Sequence, residues 1–237
     1  MRGFFLLPLL LASACGASDR FDKPLTMHVG DAALEAGAPQ AALAISRRRL
    51  AENGSDVAAL IMQGKALGET GEIDQAAASF RHAAEIDPGS VEALLGLGRA
   101  MVALGRASEA ETQFRAVLAL RKDDARAMNN LGIALDLQER HGEAQVAYRD
   151  ALAASPGLDA ARVNLGLSLA LAGDAKGGVQ ILTPLGERPD APRRVRHDLA
   201  TAMALGGDRP GAERLLRPDL TSEQLSLTMA AYAQLQR

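Results

Sequence analysis

The chain repeats itself with a fixed period of 34 residues. Glycine or alanine stands at every 34th position from residue 30, as Gly30, Gly64, Gly98, Gly132, Gly166 and Ala200. A second series of small residues keeps the same period without insertion or deletion, as Ala42, Ala76, Ala110, Ala144, Gly178 and Ala212. A constant period of this length indicates a repeat architecture, in which each unit buries its apolar face against its neighbours.

Larger and turn-forming residues keep the same phase. Four residues after the second small residue of each unit stand Ser46, Phe80, Phe114, Tyr148, Leu182 and Leu216. Aromatic residues make up only 3% of the chain and Trp is absent, so close approach of helices over Ala and Gly must supply part of the packing. Glycine between the two helices of a unit predicts a left-handed turn, at Gly37, Gly71, Gly105, Gly173 and Gly207. Pro88 and Pro156 predict the end of the second helix.

The pattern within one unit resembles the tetratricopeptide repeat. Unit 125–158 shows it through Met128, Leu131, Gly132, Leu135, Ala144, Tyr148, Ala151 and Pro156. The resemblance implies an all-α solenoid, a right-handed superhelix of helix-turn-helix hairpins. We expect six units within residues 23–221, starting near 23, 57, 91, 125, 159 and 193, of which the first and last are degenerate.

Residues 222–237 are predicted to form a C-terminal capping helix. Ser222 and Glu223 suit a helix start, and Leu225, Met229 and Tyr232 follow at helical spacing. A solenoid needs such a cap because its last unit otherwise exposes an apolar face.

The first residues are typical of a secretory signal. A short basic start precedes an apolar run that is too short to span a bilayer. The sequence Ala12-Ser13-Ala14-Cys15 resembles the end of a bacterial lipoprotein signal. That resemblance implies a signal peptide over 1–14, lipid on Cys15, a tether over 15–22, and a position on the periplasmic face of the outer membrane.

An ordinary cleavage after Ala14 is the alternative, and it would release a soluble periplasmic protein. The only cysteine of the chain stands at the cleavage position, where a free thiol has no evident purpose, and this favours the lipid anchor.

Motifs for catalysis or metal binding are absent from the sequence. The four histidines are scattered at His28, His82, His141 and His197, and none has zinc-protease or Cys-His spacing. The chain has no phosphate-binding loop and no G-x-S-x-G elbow. The net charge of -3 argues against nucleic acid as a partner. We therefore expect no catalytic residue, metal, cofactor or small-molecule substrate. A hydrolase whose site is assembled across repeats is the less favoured alternative.

The resemblance to tetratricopeptide repeats implies a concave groove that binds a protein or peptide partner. It is lined by the first helix of each unit, at positions 2, 5, 6, 9, 12 and 13 of the repeat. Transferred to this sequence, these positions give Ile61, Met62, Lys65, Leu95, Arg99, Arg126, Asn129, Asn130, Ile133, Val163, Asn164, Leu167, Arg194, His197 and Thr201.

Asn130 and Asn164 hold the same place in consecutive units. A side-chain amide both donates and accepts, so it can pair with both groups of a bound peptide backbone. Local capping of helix geometry is the alternative role. Arg99, Arg126 and Arg194 could bind carboxylates, or could simply be solvated.

The order of features along the whole chain narrows the resemblance. A lipoprotein signal precedes a degenerate repeat, phased units that contain the segments 130–137, 164–173 and 192–200, and a final Ala231-Tyr232. This resembles the TadD-like tetratricopeptide lipoproteins of tight-adherence (Flp) pilus systems. The resemblance implies a non-catalytic scaffold in pilus assembly, acting as a pilotin-like factor for the secretin. The alternative is a general envelope adaptor that organises outer-membrane biogenesis or peptidoglycan enzymes.

Overall fold

The structure, a computed structural model, describes residues 22–235 and is all-α over that range. The predicted signal peptide 1–14, Cys15 and the rest of the predicted tether before residue 22 lie outside the described residues, as do residues 236–237. The described part contains thirteen helices: α1 (Asp22–Glu35), α2 (Pro39–Glu52), α3 (Val57–Glu69), α4 (Ile73–Ile86), α5 (Val91–Ala103), α6 (Ala107–Leu120), α7 (Ala125–Asp136), α8 (His141–Ala154), α9 (Asp159–Leu171), α10 (Ala175–Gly186), α11 (Arg193–Leu205), α12 (Arg209–Leu216) and α13 (Ser222–Leu235).

Consecutive helices pack as hairpins, and the sequence sets where they start and turn. The side chains of Asp56, Ser90 and Asp124 each accept a bond from the backbone N–H three residues later, and so cap α3, α5 and α7. The five predicted turn glycines all have left-handed φ, between 69° and 98°. The predicted all-α repeat fold is confirmed.

The units hold together through rings that lie on glycines. The Phe80 ring of α4 packs against Gly64 of its own unit and Gly96 of the next unit. A β-carbon built on Gly64 would lie 2.8 Å from two ring carbons of Phe80, closer than packed atoms allow. Phe114 lies in the same way on Gly98. The small residues of the period are therefore required where a ring of the second helix meets the first.

The packing changes after the fifth unit begins. One continuous apolar cluster contains buried residues from Ala42 to Leu165, and two smaller clusters follow it. Leu182 replaces the ring in α10, and Pro184 lies inside that helix. Helix α13 covers the end of the stack, where the hydroxyl groups of Tyr232 and Thr201 are 2.9 Å apart.

Two alanine substitutions in α3 test the contact between ring and glycine. Alanine is the better helix former, so Gly68→Ala should raise the free energy of unfolding by up to about 1 kcal/mol, since nothing lies within 4 Å of the added carbon. Gly64→Ala should lower it by about 1–3 kcal/mol, because Phe80 must move. Chemical denaturation of both variants measures the difference, and equal effects would contradict the packing role of Gly64.

Glu139 stands in the turn between α7 and α8, at the position where the turns within the other five hairpins have glycine. Its φ is 60°, a conformation that costs a residue with a β-carbon roughly 1–2 kcal/mol. Glu139→Gly should therefore raise the free energy of unfolding by about 0.5–1 kcal/mol, after the added freedom of the unfolded chain is subtracted, and so raise the midpoint of urea unfolding. Gly173→Ala, at φ 98°, should lower the midpoint. A loss of stability in Glu139→Gly would refute strain at this turn.

Candidate functional site

The first helices of the units form one continuous layer. Each of α1, α3, α5, α7, α9 and α11 contacts the next in that order, and their exposed residues line the candidate groove. Two pockets open on this face. One lies among α1, α3 and α5, and the other among α7, α9 and α11.

The first pocket has a volume of about 920 Å³. Its floor is apolar and includes Ile61, Met62 and Phe80, all of them buried. Its rim is charged and consists of Asp31, Glu35, Lys65, Glu69, Glu92 and Arg99. An apolar floor under a polar rim is the usual composition of a protein binding site.

The rim of the first pocket is open at Gly68. This residue is exposed, and a β-carbon built on it would meet nothing within 4 Å. Beside it, Lys65 of α3 forms an ion pair with Glu92 of α5. Their side chains are 33% and 57% exposed, so the pair contributes at most about 1 kcal/mol and can exchange for a partner's charges.

The second pocket, of about 360 Å³, is smaller and mainly apolar. Ile133, Val163, Leu185 and Val195 supply its apolar walls. Its polar groups are Asn129, Asn164, Asp159, Arg188 and Arg194. The pocket has room for one or two apolar side chains with polar groups at its edge.

Three side-chain amides form a chain beside the second pocket. The Nδ2 of Asn164 donates to Oδ1 of Asn129 at 2.9 Å, and Nδ2 of Asn129 donates to Oδ1 of Asn130 at 3.3 Å. Asn129 is only 8% exposed, while the other two are half-buried. The Oδ1 acceptor of Asn164 and the Nδ2 donor of Asn130 have no partner among the described residues. The row of three amides therefore presents a free acceptor on Asn164 at one end and a free donor on Asn130 at the other.

The structure separates the predicted groove residues into four groups. Ile61, Met62, Lys65 and Arg99 line the first pocket, whereas Asn129, Ile133, Val163, Asn164 and Arg194 line the second. Leu95 lines neither pocket and is buried in the hydrophobic core. The remaining residues line neither pocket: Arg126 is exposed, and Asn130, Leu167, His197 and Thr201 are half-buried.

The acidic part of the first rim was not predicted from the sequence. Asp31, Glu35, Glu69 and Glu92 all stand at groove positions of the repeat, so the 34-residue register could have found them. Arg188 could not be found in this way, because it lies in the connection after α10.

A largely buried polar cluster that joins three helices was also not predicted. Asp136 accepts bonds from Ser168 Oγ at 2.7 Å and from Tyr148 Oη at 2.9 Å, and Nδ1 of His141 lies 2.8 Å from it. Burial, reinforced by the Asp136 carboxylate, raises the pKa of the Tyr148 hydroxyl well above its usual value. The cluster ties α7 and α8 to α9, and so fixes the second pocket.

This cluster has the residue types of a hydrolase triad but not its contacts. Ser168 is 1% exposed and donates to Asp136, whereas a nucleophilic serine must donate to its base. Its role is therefore structural. No group of three or more His, Cys, Asp or Glu within the described residues could hold a metal ion.

His197 and Asp198 lie at the far end of the layer, under α13. The Nε2 of His197 and Oδ2 of Asp198 are buried, and neither has a hydrogen-bond partner within the described part of the chain. Burial raises the pKa of Asp198, although Arg194 and His197 oppose that rise. None of the helices within residues 22–235 has the length and apolar character needed to cross a bilayer.

Comparisons with known proteins agree with this architecture. Models of the tetratricopeptide repeat match residues 67–131 and 125–155. Curated protein sequences give no significant match. Among solved structures, PilW, a widely conserved type IV pilus biogenesis factor, superimposes with a TM-score of 0.77 at 20% identity, over 90% of this chain and 100% of PilW.

Two further structures extend the comparison. PilF of Pseudomonas aeruginosa has a TM-score of 0.71 and 15% identity, over 89% of this chain and 98% of its own. MamA has a TM-score of 0.58 and 25% identity, over 65% of this chain and 90% of its own. The chain is therefore a tetratricopeptide-repeat protein, and it shares the fold of PilW and PilF over nearly its whole length.

Proposed function

We propose that this protein is a non-catalytic scaffold that captures a segment of a partner protein in the groove of its first helices. The observation that carries the proposal is the pair of pockets on one helix layer, with apolar floors and charged rims. Extended concave surfaces of this kind are what repeat proteins use for binding. The free amide groups of Asn130 and Asn164 add a donor and an acceptor that a bound backbone can satisfy.

We further propose that the scaffold acts in pilus assembly at the outer membrane. The resemblance to TadD-like lipoproteins supports this role, as does the similarity of fold to PilW and PilF along most of each chain. In this proposal the lipid on Cys15 holds the protein at the membrane, and the groove receives a segment of the pilus secretin. A general envelope adaptor would share the groove and the anchor. The two roles differ in what a deletion strain loses, pili alone or envelope integrity.

Gly68→Trp tests the groove without disturbing the core. The indole would project into the first pocket from a position with no neighbour within 4 Å, so the fold should survive. We expect binding of the secretin C-terminal segment, measured by fluorescence anisotropy, to weaken at least about tenfold, a loss of roughly 1.4 kcal/mol.

Gly142→Trp is the matched control. Gly142 is an exposed glycine of α8, also with nothing within 4 Å of an added β-carbon, and it lines neither pocket. Both variants should keep the helical circular dichroism of the wild type. Equal binding by both would remove the groove from the proposal.

Cys15→Ala tests the anchor. We expect this variant to lose incorporation of labelled palmitate and to move from the outer-membrane fraction to the periplasmic extract, because one or more acyl chains supply the membrane affinity. Pili should be lost even though the groove is unchanged. A variant that stays in the outer membrane and supports pili would refute the lipid-anchored scaffold.

A further inference from the structure

Charge is distributed unevenly along the candidate groove. Its first two units carry Asp31, Glu35 and Glu69 on the rim of the first pocket. All three are exposed, and none forms an ion pair with a described residue. Lys65 is the cation among them, and it is already paired with Glu92 of the next unit. The charge at this end of the groove that no ion pair neutralises is therefore negative.

The other end of the groove has the opposite sign. Arg126 of α7 is exposed and forms no ion pair within the described residues. Arg99 of α5 is likewise exposed and without an ion pair there, and it stands between the two ends, in the third unit and on the rim of the first pocket. Arg188 and Arg194 stand at the second pocket. Their ion pairs, with Asp159 and Asp198, are both long at 3.8 Å. The guanidinium groups of this end therefore remain available to carboxylates.

Single rows of equivalent positions lose their carboxylates in the same direction. Over the first five units, one row runs Asp31, Lys65, Arg99, Ile133, Leu167, and another runs Glu35, Glu69, Ala103, Leu137, Leu171. In the second row two exposed carboxylates give way to an alanine and then to two leucines that are 54% and 47% exposed. Because these residues hold one register on successive first helices, the gradient follows the direction of the groove.

From this gradient we infer that the groove selects a partner segment of asymmetric charge. This inference rests on the proposed binding of a partner in the groove. The segment carries Lys or Arg where it lies on the first two units. It carries apolar residues together with Asp or Glu where it lies on the fourth to sixth units. Such complementarity fixes the direction in which the segment binds, because the reversed segment would place like charges together. It also excludes segments that are uniformly acidic or uniformly basic.

Four labelled synthetic peptides with one shared apolar centre test the inference on the full chain. One has two Lys before the centre and two Glu after it, one has the reverse order, one has four Lys, and one has four Glu. Both orders are included because the groove charges fix which end of a segment lies on which units, whereas contacts to the peptide backbone, such as those offered by Asn130 and Asn164, decide which of the two orders is favoured. One asymmetric peptide should bind about tenfold more tightly than the other three in low salt, and should lose most of this preference near 0.5 M salt, where screening is strong.

Reversal of the groove charges gives the decisive comparison. A variant with Glu35→Lys, Glu69→Lys, Arg126→Glu and Arg194→Glu leaves the net charge unchanged and should transfer the preference to the opposite asymmetric peptide. The control variant, Glu85→Lys with Arg149→Glu, exchanges exposed charges on second helices and should keep the wild-type preference. Circular dichroism checks that both variants fold.

Equal binding of all four peptides, binding of none, or an unchanged preference after the reversal would each overturn the asymmetry. The proposal that the groove binds a partner is tested separately. If Gly68→Trp abolishes capture of the secretin segment while the charge reversal leaves it intact, the scaffold proposal survives and the asymmetry does not.

Discussion

The contact between a ring and a glycine determines the geometry of this solenoid. Phe80 lies on Gly64 within its unit and on Gly96 of the next, so one side chain sets both the spacing within a hairpin and the spacing between hairpins. Because each ring is closely packed between helices, the first helices are held at a fixed separation. The apolar floor of the first pocket includes the same Phe80. Stability and the shape of the groove therefore depend on one contact, repeated along the chain.

Polar contacts join the fourth unit to the fifth, in which Leu182 replaces the aromatic ring. Asp136 joins α7, α8 and α9 through Ser168, Tyr148 and His141, at the point where the continuous apolar cluster gives way to smaller ones. A buried polar group that is fully bonded specifies one arrangement of its neighbours, because any other arrangement leaves it unsatisfied. The carboxylate of Asp136 is thus engaged by these three partners and is only 17% exposed, although its position in the repeat would place it on the groove.

The candidate groove is separate from these supports. The pockets take their floors from the core but their rims from residues that the core does not need, such as Glu69, Arg99 and Arg194. Rim residues can therefore differ in charge from unit to unit while the packing stays constant. This separation allows one fold, shared with PilW, PilF and MamA at 25% identity or less, to present a charge pattern of its own.

The sequence by itself determined the all-α repeat, its 34-residue register and the turns at glycine, because each depends on local sterics repeated at a fixed spacing. It also placed Ile61, Lys65, Arg99, Asn129 and Asn164 at groove positions of the repeat, and these residues line the two pockets. Only the tertiary structure decided which of those side chains are free. Leu95 lies in the core outside both pockets, Asn129 is held between two other amides, and Arg188 lines the second pocket from a connection outside the repeat register. Periodicity gives the side of the helix on which a residue lies, but burial and pairing depend on neighbours that are distant in the chain.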